Sequence, residues 1–271
     1  MTKLELIEQI NRKESFLCIG LDTDPAKMPE QFAKTPDGML AFNKMVIEAT
    51  ADLCVAYKPN LAFYEVFGSA GWEVLKETIA AIPKHCMVIA DAKRGDIGNT
   101  ASAYAKAIFD DLNADAITVA PYMGKDSITP FLDYANKWTI VLGLTSNPGA
   151  NDFQFHGQPP LYEQVITTCA QWGSPEQLMF VVGATRPEGL ARVREIAPEH
   201  FFLVPGVGAQ GGDLLETAKA GLIGPSRKQG IGLLVNASRA IIYAGHLEVN
   251  IRAAARKMQQ EMAQFMHALQ P

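Results

Sequence analysis

The chain has 271 residues, of which 48% are hydrophobic, and a formal net charge of −5 at pH 7. That length buries one large core or two small ones, and the mild acidity argues against a nucleic-acid polyanion as the partner. No apolar run approaches membrane-spanning length, and the first residues lack a signal-peptide pattern.

Cys18, Cys54, Cys86 and Cys169 stand far apart, as do His85, His156, His200, His246 and His267. The spacing suits a reduced, cytoplasmic protein and disfavours a metal centre built from His and Cys; carboxylate-bound Mg²⁺ stays open.

In chain order, Thr2 to about Asn11 reads as a short amphipathic helix, and Phe16 to Asp22 as a buried strand ending on an acid. Thr35-Pro36-Asp37 starts a helix that carries Leu40, Met45, Val46, Ala49 and Leu53 at helical spacing. Val55 to Asn60 is a second strand with Lys58 near its end, and a helix from about Ala70 to Ala81 stops at Pro83. Cys86 to Ala92 is a third strand, and its helix runs to about Leu112.

The alternation continues with a strand over Asp115–Ala120, a helix over Lys125–Asn136 and a strand over Trp138–Leu144. Residues 147–160 read as a long Gly/Pro/Asn/Gln loop. Leu161–Trp172 is then helix, Leu178–Gly183 strand, Arg186–Ile196 helix and Phe201–Val204 strand. A helix follows to about Ala220, then a polar loop over 221–230, a strand over Ile231–Asn236 and a closing helix within 247–269. Eight strand–helix units with no linker between them predict a single-domain (β/α)₈ barrel over residues 1–271, of the TIM type. An open doubly wound sheet is the alternative.

In such a barrel the active site lies at the C-terminal ends of the strands. Those ends carry Asp22, Lys58, Asp91, Lys93, Ser146, Gln210 and Arg239. The densest stretch is Val88 to Thr100, apolar at first and then abruptly charged. Asp91 and Lys93 are two apart and so leave one face of an extended strand, and Asp96 follows Gly95. Such a crowd of charge is costly to bury without a purpose, although a structural salt bridge at a strand–helix junction is the plain alternative. Two further stretches suit phosphate: Gly206 to Asp213, glycine-rich before a helix, and Asn236-Ala237-Ser238-Arg239 after the last strand.

The pattern Asp91-x-Lys93-x-x-Asp96-Ile97-x-x-Thr100 resembles the signature of the orotidine 5′-monophosphate decarboxylase family. Leu21-Asp22, Lys58-Pro59-Asn60, Thr145 to Gly149, Pro205 to Asp213 and Asn236 to Arg239 fall in that family's order, and the longer loops resemble its larger bacterial branch. One departure is Ser238, where compact members have glycine.

The resemblance implies decarboxylation of orotidine monophosphate to UMP in pyrimidine biosynthesis, without metal or organic cofactor. It makes Lys93 the proton donor to C6, with Asp91 against the substrate carboxylate and Lys58 and Asp96 completing a charge network. It places Asp22 and Lys58 at the ribose, Ser146 at the pyrimidine, and Gln210 with Arg239 at the phosphate, and it includes Pro205 among the substrate contacts. It also sends Asp96, Ile97 and Thr100 into a neighbouring subunit's site, hence a homodimer. The rivals are a Mg²⁺-dependent sugar-phosphate decarboxylase or aldolase with the same Asp-x-Lys-x-x-Asp pattern, a lysine Schiff-base aldolase, and a catalytically silent nucleotide-binding protein.

Overall fold

The computed structural model describes residues 1–207, 212–222 and 231–268. Its strands are β1 (Leu17–Leu21), β2 (Ala56–Pro59), β3 (Met87–Arg94), β4 (Ala116–Val119), β5 (Trp138–Leu144), β6 (Leu178–Val182), β7 (Phe201–Pro205) and β8 (Leu233–Ala237). All pair in parallel in sequence order, and β1 also pairs with β8, with Leu17 opposite Val235. The sheet is therefore a closed barrel and the open-sheet alternative falls.

The local chemistry explains most of the elements. A strand covered on both faces needs apolar residues at every position, and β1, β4 and β6 are buried throughout. The first helix, Lys3–Lys13, opens with a capping box in which Thr2 and Glu5 satisfy each other's backbone N–H groups. Helix Pro36–Thr50 starts from Thr35, whose hydroxyl accepts from Gly38 N, and proline at its first position loses no hydrogen bond there. Gly98 at φ +57° turns the chain after β3 into helix Gly98–Lys106.

Three stretches depart from expectation. Lys125–Asn136 is not one helix but a 3₁₀ turn, Lys125–Ser127, followed by a single helical turn, Thr129–Leu132. Pro130 has no N–H and is tolerated only at a helix start, so the turn begins anew there, while fully buried Ile128 and Phe131 pin it to the barrel. The 147–160 loop contains a helical turn, Ala150–Phe153, and is tied back by Gln154, which accepts from Thr145 N at 2.8 Å and donates to Thr145 Oγ1 at 2.7 Å. Finally, β3 runs to Arg94 rather than Ala92, because the chain resumes pairing with β4 (Arg94 opposite Val119) after a register shift.

Candidate active site

The mouth at the strand C-termini is organised around Asp91. Its carboxylate is 8% exposed and lies between two ammonium groups: Lys58 Nζ donates to Oδ2 at 2.6 Å and Lys93 Nζ to Oδ1 at 2.6 Å. Lys58, on β2 and 4% exposed, also stands 3.7 Å from Asp22 Oδ1 at the end of β1. Burial drives the Asp91 carboxyl toward protonation, but the charges of Lys58 and Lys93 outweigh it and hold the group well below the usual carboxylate range. Burial likewise favours loss of the Lys58 proton, and Asp91 and Asp22 overcome it to keep that ammonium firmly charged. Two buried ions cost several kcal/mol each to desolvate, so a hydrophobic pair would hold a barrel together as well. Charge at this place points to chemistry rather than stability.

Lys93 does not reach Asp91 by regular strand alternation. Its φ is +47°, in the left-handed region that a lysine enters at a cost of about 1–3 kcal/mol. The register shift between Ala90 and Arg94 is the same irregularity seen from the neighbouring strand. Thr118 on β4 holds it in place: its Oγ1 accepts from Lys93 N at 3.0 Å and donates to Asp91 Oδ1 at 2.9 Å. Sequence reasoning missed Thr118, because a threonine within Ala116-Ile117-Thr118-Val119 looks like an ordinary strand residue. Its only signal is a hydroxyl in an otherwise apolar, fully buried run.

Two cavities meet at Lys58 and Asp91. One, of about 400 Å³, reaches Lys93, Thr118, Ser146 and Pro205. The other, of about 330 Å³, extends from Asp22 past Pro205, Gly206 and Ser238 to Arg239. Gly183 makes room for Ser146, since a Cβ there would come within 2.8 Å of the Ser146 Cβ. After β7 the chain folds on itself, with Gly212 N donating to Gly206 O at 3.0 Å and Gly206 at φ +102°. Among the described residues the exposed Arg239 guanidinium makes no hydrogen bond or ion pair, and the buried Asp22 Oδ1 accepts no hydrogen bond.

The structure thus brings together Asp22, Lys58, Asp91, Lys93, Ser146, Pro205 and Arg239. It does not bring Asp96, Ile97 or Thr100 to the same cavities. Asp96 instead accepts from Ile97 N at 2.8 Å, Ile97 is 51% exposed, and Thr100 is exposed in the first turn of its helix. Gln210 lies outside the described residues. No group of three or more His, Cys, Asp or Glu side chains among the described residues is arranged to hold a metal ion.

The Orotidine 5′-phosphate decarboxylase / HUMPS family model matches residues 15–254. The orotidine 5′-phosphate decarboxylase of Christiangramia forsetii is 53% identical over 277 residues, covering 99% of this chain and 100% of that protein. Among solved structures, the OMP decarboxylase of Leishmania donovani superposes with a TM-score of 0.86 at 42% identity, covering 98% of this chain and 100% of that one. The UMP synthase of the same organism superposes with a TM-score of 0.87 at 44% identity, and there the likeness spans 97% of this chain but only 56% of the longer protein. With likeness running through every strand of the barrel and through the charged mouth, the chain belongs to the orotidine 5′-phosphate decarboxylase / HUMPS family.

Proposed function

We propose that the chain converts orotidine 5′-monophosphate to UMP and CO₂, a step of pyrimidine biosynthesis, with Lys93 protonating C6. The observation that carries this is the row Lys58–Asp91–Lys93, in which one ionised carboxylate is clasped by two ammonium groups at 2.6 Å on the floor of an open cavity. When the bond between C6 and the carboxylate breaks, CO₂ departs and the electron pair stays on a ring carbon that delocalises it poorly. A fixed ammonium beside that carbon stabilises the charge as it develops and then delivers its proton to form C6–H, and water re-protonates the amine. Asp91 orients Lys93 and crowds the substrate carboxylate.

The remaining side chains suit the rest of the nucleotide. Asp22, which lines the cavity with its Oδ1 3.7 Å from Lys58 Nζ, is an acceptor for a ribose hydroxyl, and Lys58 is a donor. Ser146 lies on the base side of the mouth, and Arg239 at the far end presents a fork suited to phosphate, with Gln210 assigned there by the family resemblance.

Asp96, Ile97 and Thr100 fit a homodimer in which each subunit completes its partner's site. Their outward placement supports this, as does an apolar rim made by Val66 (74% exposed), Ile97, Tyr122 (93%) and Met123 (47%) on the neighbouring loops after β2, β3 and β4. A reduced, cytoplasmic setting suits four free and buried cysteines, and no described helix is long and apolar enough to cross a membrane.

The Mg²⁺-dependent sugar-phosphate reading is separated by one assay. Following the absorbance of orotidine monophosphate with and without excess EDTA, turnover should continue at the same rate in both. Loss of turnover with EDTA, restored by Mg²⁺, would move the chain to that other chemistry.

A further inference from the structure

The phosphate end of the cavity contains a hydrogen-bond chain that the reaction itself does not require. Asn236, on β8 and 7% exposed, donates from Nδ2 to Ser238 Oγ at 3.3 Å, and its Oδ1 faces Cys18 Sγ on β1 at 3.5 Å. Cys18 is fully buried, and burial pushes its thiol up to about 12, so it is a neutral S–H donor at any working pH. Direction therefore propagates along the chain. The thiol donates to Asn236 Oδ1, the amide is fixed with Nδ2 toward Ser238, and Ser238 Oγ is an acceptor in that bond. A hydroxyl that accepts there keeps its single proton for something else.

Among the described residues, the cavity is the side open to that proton. Ser238 lines the cavity beside Gly206 and Arg239, and β1 passes close behind it. Gly20 on β1 is what makes the placement possible, because a Cβ there would come within 1.8 Å of Ser238 Oγ and 2.9 Å of its Cβ. The wall is thus shaped around this hydroxyl, and the cavity it lines is the one that Arg239 also lines.

We infer that Ser238 is a substrate-binding residue, donating its hydroxyl proton to the phosphate monoester of the nucleotide, and that Cys18 and Asn236 are positioning residues which aim it. The inference rests on the nucleotide decarboxylase reading above and adds a contact to that site. A hydrogen bond to a dianion is charge-assisted, so its loss is felt in affinity for the phosphorylated ligand and not for the nucleoside.

The experiment compares UMP and uridine as competitive inhibitors of orotidine monophosphate turnover by wild type, Ser238→Ala and Cys18→Ala, with thermal melts to confirm folding. Ser238→Ala should weaken UMP roughly ten- to a hundredfold and leave uridine unchanged. Cys18→Ala should weaken UMP by a smaller factor, about two- to fivefold, again without touching uridine. Unchanged UMP inhibition in Ser238→Ala, or an equal loss for UMP and uridine, would overturn the inference while leaving the decarboxylase reading intact. Absence of turnover by the wild-type protein would instead overturn the reading on which it rests.

Discussion

At the scale of single residues, Thr118 gives the sharpest test of how the charge row is held. Its hydroxyl ties a lysine backbone in the left-handed region to the carboxylate that the same lysine's side chain contacts. Thr118→Val keeps the shape and removes both bonds, leaving the Lys93 N–H unsatisfied at a cost of about 1–3 kcal/mol. We expect kcat to fall roughly tenfold or more with little change in KM, and Thr118→Ser to restore most of it. Wild-type kcat in Thr118→Val would show that Lys93 needs no such support. The Asp91 carboxyl, held below its ordinary range, stabilises the fold fully above about pH 4 and loses that contribution only as pH falls through its depressed value. Lys58, Asp91 and Lys93 were legible in the sequence because each interrupts an apolar strand near its end, and Asp22 and Arg239 because each closely follows one. Thr118, being at home in any strand, was not.

At the scale of elements, the β3 segment divides its work between two places. Asp91 and Lys93 face the mouth, whereas after Gly95 the chain leads Asp96 away from it, and Arg94 anchors the turn through an ion pair with Glu65 and a guanidinium 5.2 Å above the Tyr104 ring. If Asp96 serves the neighbouring subunit, Lys93→Ala and Asp96→Ala homodimers are each nearly inactive. Mixing them places both lesions in one site of a heterodimer and neither in the other, so random exchange should restore roughly a quarter of all sites. Absence of recovery, with subunit exchange confirmed, would assign Asp96 to its own chain. Element bounds were legible where a continuous apolar run fixes a strand, as over Trp138–Leu144. They failed where one proline redirects a helix, as at Pro130, and where side-chain bonds such as those of Gln154 to Thr145 shape a loop whose composition looks irregular. Gln154 and Thr145 stand nine residues apart in an aperiodic stretch, and a periodicity argument does not register a side-chain pair of that kind.

At the scale of the molecule, the closed barrel turns a scattered set of polar residues into one site. Asp22, Lys58, Asp91, Ser146 and Arg239 span most of the chain, yet parallel strands in sequence order deliver every strand end to the same mouth. That convergence was legible from the alternation of strands and helices alone. The contacts among the delivered side chains were not, since they depend on register, on the shift between Ala90 and Arg94, and on glycines such as Gly20 that admit a neighbour. The central claim is that this convergence positions Lys93 as the acid for decarboxylation. The most direct measurement is the first-order rate of orotidine monophosphate loss at saturating enzyme, for wild type and for Lys93→Ala shown by thermal melt to be folded. The wild type should convert substrate fully to UMP, and Lys93→Ala should be slower by at least about a thousandfold. A folded Lys93→Ala protein that turns over within about tenfold of wild type would contradict it.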